Sequence, residues 1–207
     1  MNAAPASEAV RPPALLVPHP GDALIIVDVQ NDFLPGGTLP ARKGNEVIAP
    51  LNRVIAEFHR RALPIYATRD WHPTYHRSFQ LQGGPWPPHC IAGLRGAEPP
   101  AALDLPTEAR VIRKGTSEYA DGYSGFQATG LGVELRRTGC RRVFVGGLAS
   151  DYCVRATAID ALRNGFEAVV LEDAVKPLEV HDGDGRRALD EMRAAGVTLA
   201  SSDQLAH

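Results

Sequence analysis

Apolar and polar positions along the chain fall into two repeating patterns. Short continuous apolar runs at Ala23–Val27 (ALIIV), Pro64–Thr68 (PIYAT) and Val143–Val145 are what strands buried on both faces show. Arg110–Arg113, Glu167–Leu171 and Val197–Ala200 complete the predicted strands. Between them apolar residues recur at helical spacing. Val47, Ile48, Leu51, Val54, Ile55 and Phe58 mark a helix over Val47–Arg61, with Pro50 tolerable only near its first turn. Leu131–Arg137 and Asp184–Ala195 are two further helices, the latter carrying Leu189 and Met192 on one face. Strands alternating with helices predict an α/β fold, with a parallel sheet covered on both faces by right-handed crossovers.

The stretch Arg142–Thr157 (RVFVGGLASDYCVRAT) organises the rest. Its strand ends in Gly146 and Gly147, and Ser150 and Asp151 are suitable N-caps for a helix starting there. Val154, Ala158, Ala161 and Leu162 share one face of that helix, and Asn164-Gly165 stops it. Cys153 then lies in a first helical turn, where free N–H groups and the helix dipole favour a thiolate; the alternative is an inert small hydrophobe. Asp28, Asp70, Lys114 and Cys153 each fall at or just past the carboxyl end of a different predicted strand. In an open parallel sheet those ends share one edge, where ligand crevices form. A thiol, carboxylates and an ammonium meeting there supply a nucleophile, a proton carrier and a charge that tunes both.

The connection from Asp70 to about Leu103 has little periodicity, yet Trp71, Phe79 and Trp86 argue against disorder. It holds His72, His76 and His89. Asp70 and His72 are one residue apart, so an extended backbone points both side chains to the same face. Asp70, His72 and His89 together suit Zn, Fe or Mn with open positions left over. His76 is a weaker candidate, read as a neighbour of the site, and Cys90 is read as packing inward.

Charge is nearly balanced, with 22 Lys+Arg against 24 Asp+Glu and no basic block, so no nucleic-acid partner is expected. No apolar run is long enough to span a bilayer. The 3 cysteines lack CxxC spacing, as suits reduced thiols in a cytoplasm. Without repeats or a low-complexity linker, one domain is expected over residues 21–207, after an Ala- and Pro-rich arm or tail over residues 1–20. The expected partner is a small-molecule substrate, with a homo-oligomer left open.

The runs ALIIVDVQNDF (Ala23–Phe33), LPGGTLP (Leu34–Pro40), TRDWHP (Thr68–Pro73), GGPWPPHC (Gly83–Cys90), RKGT (Arg113–Thr116) and GLASDYCV (Gly147–Val154) resemble those of nicotinamidases. These belong to the isochorismatase-like cysteine hydrolases. The resemblance implies a three-layer α/β/α sandwich around a six-stranded parallel sheet, and hydrolysis of nicotinamide to nicotinate and ammonia through a cysteine thioester. It implies a triad of Asp28, Lys114 and Cys153, and a divalent metal on Asp70, His72 and His89, zinc first, then iron or manganese. It further implies a cis peptide between Leu148 and Ala149, with the N–H groups of Ala149 and Cys153 aimed at an oxyanion. Phe33, Trp86 and Tyr123 match positions that enclose the pyridine ring, with Leu148 and Tyr152 near it. The implied setting is NAD salvage. The rival readings are an amidase of the same family for another small amide, a hydrolase using metal-bound hydroxide with Asp28 as base, and a non-catalytic module. Isochorismatase-type relatives lack the nucleophilic cysteine, and relatives acting on N-carbamoyl compounds generally lack the metal histidines. Both features are present here.

Overall fold

A computed structural model describes residues 15–205. The predicted apolar runs become β1 (Asp22–Val27), β2 (Ile65–Asp70), β3 (Arg110–Lys114), β4 (Arg142–Leu148), β5 (Glu167–Lys176) and β6 (Thr198–Ala200). All pair in parallel, in the order β3-β2-β1-β4-β5-β6. The helices are α1 (Ile48–Arg60), α2 (Leu131–Arg137), α3 (Arg155–Arg163) and α4 (Asp184–Ala195). Side chains alternate across each strand, so β1 sends Leu24 and Ile26 to one face and Ala23, Ile25 and Val27 to the other. On the first face Leu51, Val54, Ile55 and Phe58 of α1 close the core, and Phe58 meets Phe144 edge-on at 5.4 Å. Leu131 and Leu135 of α2, Ala158 and Ala161 of α3 and Met192 of α4 close the second. Burial of each such large side chain contributes roughly 1.5–3 kcal/mol. The three-layer sandwich is therefore present. Among the described residues no helix is long and apolar enough to cross a membrane.

The strand order contains a switch. From β1 the chain moves outward through β2 to β3, then returns to β4 on the other side of β1. Crevices for ligands open where the winding reverses, between the carboxyl ends of β1 and β4. Asp28 follows β1 there, and Cys153 lies in the turn after β4. The two strands approach closely because Gly147 lies opposite Val27: at φ 123° an added Cβ would stand 2.1 Å from the Val27 carbonyl oxygen.

Several boundaries differ from expectation. A tight turn over Gly44–Val47 precedes α1, which places Pro50 in the first α-helical turn. β5 continues past Leu171 to Lys176 because Asp173, which reads as a turn residue, is used as an acceptor for the Ser202 backbone N–H and hydroxyl. Neither Ser150 nor Asp151 caps a helix. Ser150–Val154 forms one wide π-type turn entered from Ala149, and α3 starts only at Arg155. Leu148 lies in the core cluster on the α1 face, and the residue after it, Ala149, lines the pocket described below. The N-terminal arm lies outside the described residues as far as Ala14. Leu16 bridges to Leu205, and the Pro18 carbonyl accepts from Arg61.

Candidate active site

Three side chains from other strand ends, Asp28, Asp70 and Cys153, converge on the ammonium of Lys114. The edge strand β3 is largely exposed, but its last residue is buried beneath the neighbouring loops. Lys114 Nζ lies 2.8 Å from Asp28 Oδ2, 2.6 Å from Asp70 Oδ1 and 3.4 Å from Cys153 Sγ, and donates to the Gly122 carbonyl at 2.8 Å. Ligating atoms of Asp28, Asp70 and Cys153 all fall within 4.8 Å of one another. Asp28 has φ 47°, a left-handed conformation that aspartate tolerates better than most residues. Its Oδ1 accepts from the Thr68 hydroxyl at 2.7 Å. Its Oδ2 forms the ion pair with Lys114.

The electrostatics divide the labour among these groups. Burial raises the pKa of Asp28 more than Lys114 lowers it, so this carboxylate binds a proton more readily than usual. Burial also acts on Asp70, but there Lys114 and His72 prevail and hold the carboxyl well below the usual range. Burial disfavours the Lys114 ammonium, yet the two carboxylates outweigh it and keep the group charged. Burial pushes the Cys153 thiol well above its ordinary value, against the pull of Lys114. The residue sits in a π-type turn among carboxylates and not in a regular first helical turn, so burial and those charges work against the pull that helix position was expected to exert.

Asp70 also faces a second group. Its Oδ2 lies 3.5 Å from His72 Nε2, and ligating atoms of Asp70, His72 and His89 fall within 4.8 Å of one another. His72 Nδ1 lies 2.8 Å from the Gly115 carbonyl, and His89 Nδ1 2.8 Å from that of Pro87. A carbonyl only accepts, so each Nδ1 carries the proton and each Nε2 keeps a free lone pair. Two imidazoles oriented by backbone carbonyls, beside a carboxylate held ionised, fit a divalent cation. Gly115 permits this approach, since a Cβ there would stand 2.4 Å from the His72 ring. His76 stacks on His72 with ring centroids 4.1 Å apart, but both of its nitrogens are committed. Nε2 donates to the Ala120 carbonyl at 3.1 Å, and Nδ1 lies 2.7 Å from the Ser78 hydroxyl. Cys90 is buried in the core on the α1 face, as expected.

One pocket joins the two groups. Cys153, Ala149 and Tyr152 line it from the turn after β4, Asp70 from β2, Trp86 and His89 from the long connection, Phe33 from the loop after β1, and Tyr123 from the segment after Lys114. Trp86 Nε1 donates to the Tyr123 hydroxyl at 3.1 Å, and the Trp86 ring meets Tyr152 edge-on at 5.0 Å. The peptide between Leu148 and Ala149 is cis. Leu39 and Leu178 also line the pocket and escaped the sequence reading, since isolated leucines in loops carry no pattern. So did Gln30, buried beside Asp70. Its Nε2 donates to the carbonyls of Asp70 at 2.8 Å and Ala97 at 2.9 Å, and its Oε1 accepts from the Asp70 N–H at 2.9 Å. Its place two residues after Asp28 was the one available signal.

Known proteins share this arrangement of elements. The chain is 40% identical to the nicotinamidase of Acinetobacter baylyi over 202 residues, covering 87% of this chain and 92% of that protein. The crystal structure of the pyrazinamidase of Pyrococcus horikoshii in complex with zinc superposes with a TM-score of 0.84 at 47% identity, covering 88% of this chain and 99% of that one. The structure of PnC1 from L. infantum in complex with nicotinate gives 0.84 at 42% identity, covering 93% and 98%. Residues 22–204 match the isochorismatase domain model, a span from the first residue of β1 to just beyond β6 that takes in every residue of the pocket, and the chain belongs to that family.

Proposed function

We propose that this protein is a nicotinamidase, hydrolysing nicotinamide to nicotinate and ammonia with Cys153 as the nucleophile. The observation that carries most weight is a sulfur within 4.8 Å of an Asp28 oxygen and 3.4 Å from the Lys114 ammonium, opening on an aromatic-walled pocket that also holds Asp70 and His89. The nicotinamidase names of relatives at 36% and 40% identity support the same substrate.

Cys153 sulfur bonds to the carboxamide carbon while its proton passes to Asp28, whose raised proton affinity suits it to accept. Lys114 stays charged, orients Asp28 and stabilises the sulfur as its negative charge develops. The carbonyl oxygen becomes an oxyanion held by the backbone N–H groups of Ala149 and Cys153; losing one such donor costs about 3 kcal/mol of barrier. The intermediate collapses, the C–N bond breaks, and Asp28 returns its proton to the leaving ammonia. Water then attacks the thioester with Asp28 as base, nicotinate departs, and the proton returns to the Cys153 sulfur. Phe33, Trp86 and Tyr123 enclose the flat ring, with Tyr152 beside them. Asp70, His72 and His89 would hold the divalent metal, zinc first among the ions this donor set suits, and when bound it supplies an orienting contact for the ring nitrogen. Free thiols at Cys90, Cys140 and Cys153 favour a cytoplasmic setting, and the reaction fits NAD salvage.

Ammonia release from nicotinamide, pyrazinamide, benzamide and an N-carbamoyl amino acid tests the substrate. Nicotinamide and pyrazinamide are expected to lead, and equal turnover of benzamide would remove the role given to the ring nitrogen. Cys153→Ser is expected to abolish turnover with the metal retained, and the wild type to show the mass of an acyl-enzyme. Substantial turnover by that variant would favour attack by metal-bound hydroxide instead.

A further inference from the structure

Two residues before the nucleophile, Asp151 is buried and belongs to neither the Lys114 group nor the metal set. Its two oxygens are divided between adjacent backbone donors of the segment after β5. Oδ1 accepts from the Leu178 N–H at 2.9 Å, and Oδ2 from the Glu179 N–H at 3.0 Å. The segment is fixed on both sides of this clasp. The Pro177 carbonyl accepts from the Arg42 N–H at 2.9 Å, and the Glu179 carboxylate accepts from the Gly183 N–H at 2.7 Å. Glu179 has φ 60°, so the chain turns sharply just after Leu178. Leu178 lines the pocket with Cys153, Phe33 and Leu39.

We propose that Asp151 is a positioning residue for substrate selection: it ties the nucleophile turn to Leu178, and Leu178 is the wall that sets which ring substituents the pocket admits. This rests on the amide-hydrolase reading above. A carboxylate suits the task because it offers two charged acceptors to two neighbouring N–H groups. The amide in Asp151→Asn presents a donor to one of them and releases that end of the clasp.

The test is a double-mutant cycle on the full chain, with wild type, Asp151→Asn, Leu178→Ala and the double variant assayed by ammonia release from nicotinamide and its ring-methylated isomers. Each single change is expected to raise KM for nicotinamide about tenfold with kcat within about threefold, and to narrow the preference over the methylated isomers about tenfold. The double variant should be no worse than the worse single one, because both act through one contact. Multiplied effects in the double variant, or a fall in kcat at constant KM in Asp151→Asn, would overturn the proposal. Backbone hydrogen exchange at Leu178 and Glu179, expected to quicken about tenfold in Asp151→Asn, follows the clasp without turnover; unchanged exchange would also overturn it. A wild type inert toward nicotinamide would instead defeat the amidase reading, while the exchange measurement still judges the clasp.

Discussion

Gln30 makes three hydrogen bonds of 2.8–2.9 Å in a fully buried position, and two of them grip the peptide groups of Asp70. Gln30→Met keeps the volume and removes all of them, leaving the Asp70 N–H and the carbonyls of Asp70 and Ala97 without these partners. A net contribution of about 1 kcal/mol per bond, plus a further 1–3 kcal/mol for an orphaned buried group, puts the loss at roughly 4–6 kcal/mol. For a domain of this size each kcal/mol shifts Tm by about 2–4 °C, so Tm should fall by about 10 °C. The carboxylate of Asp70 serves both Lys114 and the metal set, and loosening its backbone should weaken metal affinity by about ten- to a hundredfold. Urea unfolding and competition with a chromogenic chelator measure the two effects. A stability change below about 1 kcal/mol with metal affinity intact would show that the clamp does not position Asp70.

Two further outcomes follow from the site. The proposed mechanism needs Asp28 unprotonated, and burial raises its pKa, so the acid limb of kcat/KM should lie above the ordinary carboxylate value of about 3.9. Activity is then lost as pH falls through that raised value; metal content followed over the same range should stay constant, and a parallel loss of metal would assign the limb to the histidines. Removing the metal with a chelator should raise KM for nicotinamide about tenfold or more while acyl-enzyme still forms at saturating substrate, because in the proposed mechanism the metal orients and Cys153 attacks. Mass spectrometry of the metal-free enzyme checks this, and complete failure to acylate would contradict it.

The sheet was readable because ALIIV and VFV are apolar without interruption, as strands covered on both faces are. The meeting of Asp28, Asp70, Lys114 and Cys153 was readable for a related reason: parallel strands put their carboxyl ends on one edge. What the sequence hid depends on tertiary partners. Asp173 looks like a turn residue until Ser202 is brought to it. Asp151 looks like a helix cap, yet its acceptors are spent on a segment 27 and 28 residues away. The upward push on the Cys153 thiol comes from burial and from carboxylates on other strands, which its local sequence does not report.

The return of the chain from β3 to β4 has a bearing on how the protein gains activity. Proton acceptor, carboxylate, ammonium and sulfur come from positions 28, 70, 114 and 153, so the earliest of them waits for a strand that emerges far later in synthesis. Helices and the β1–β2–β3 half can form from nearby segments, whereas the β1–β4 seam closes the longest loop in the central sheet. Function therefore reports completion: a nascent or nicked chain can hold most of its secondary structure and still have no working centre until that seam is made.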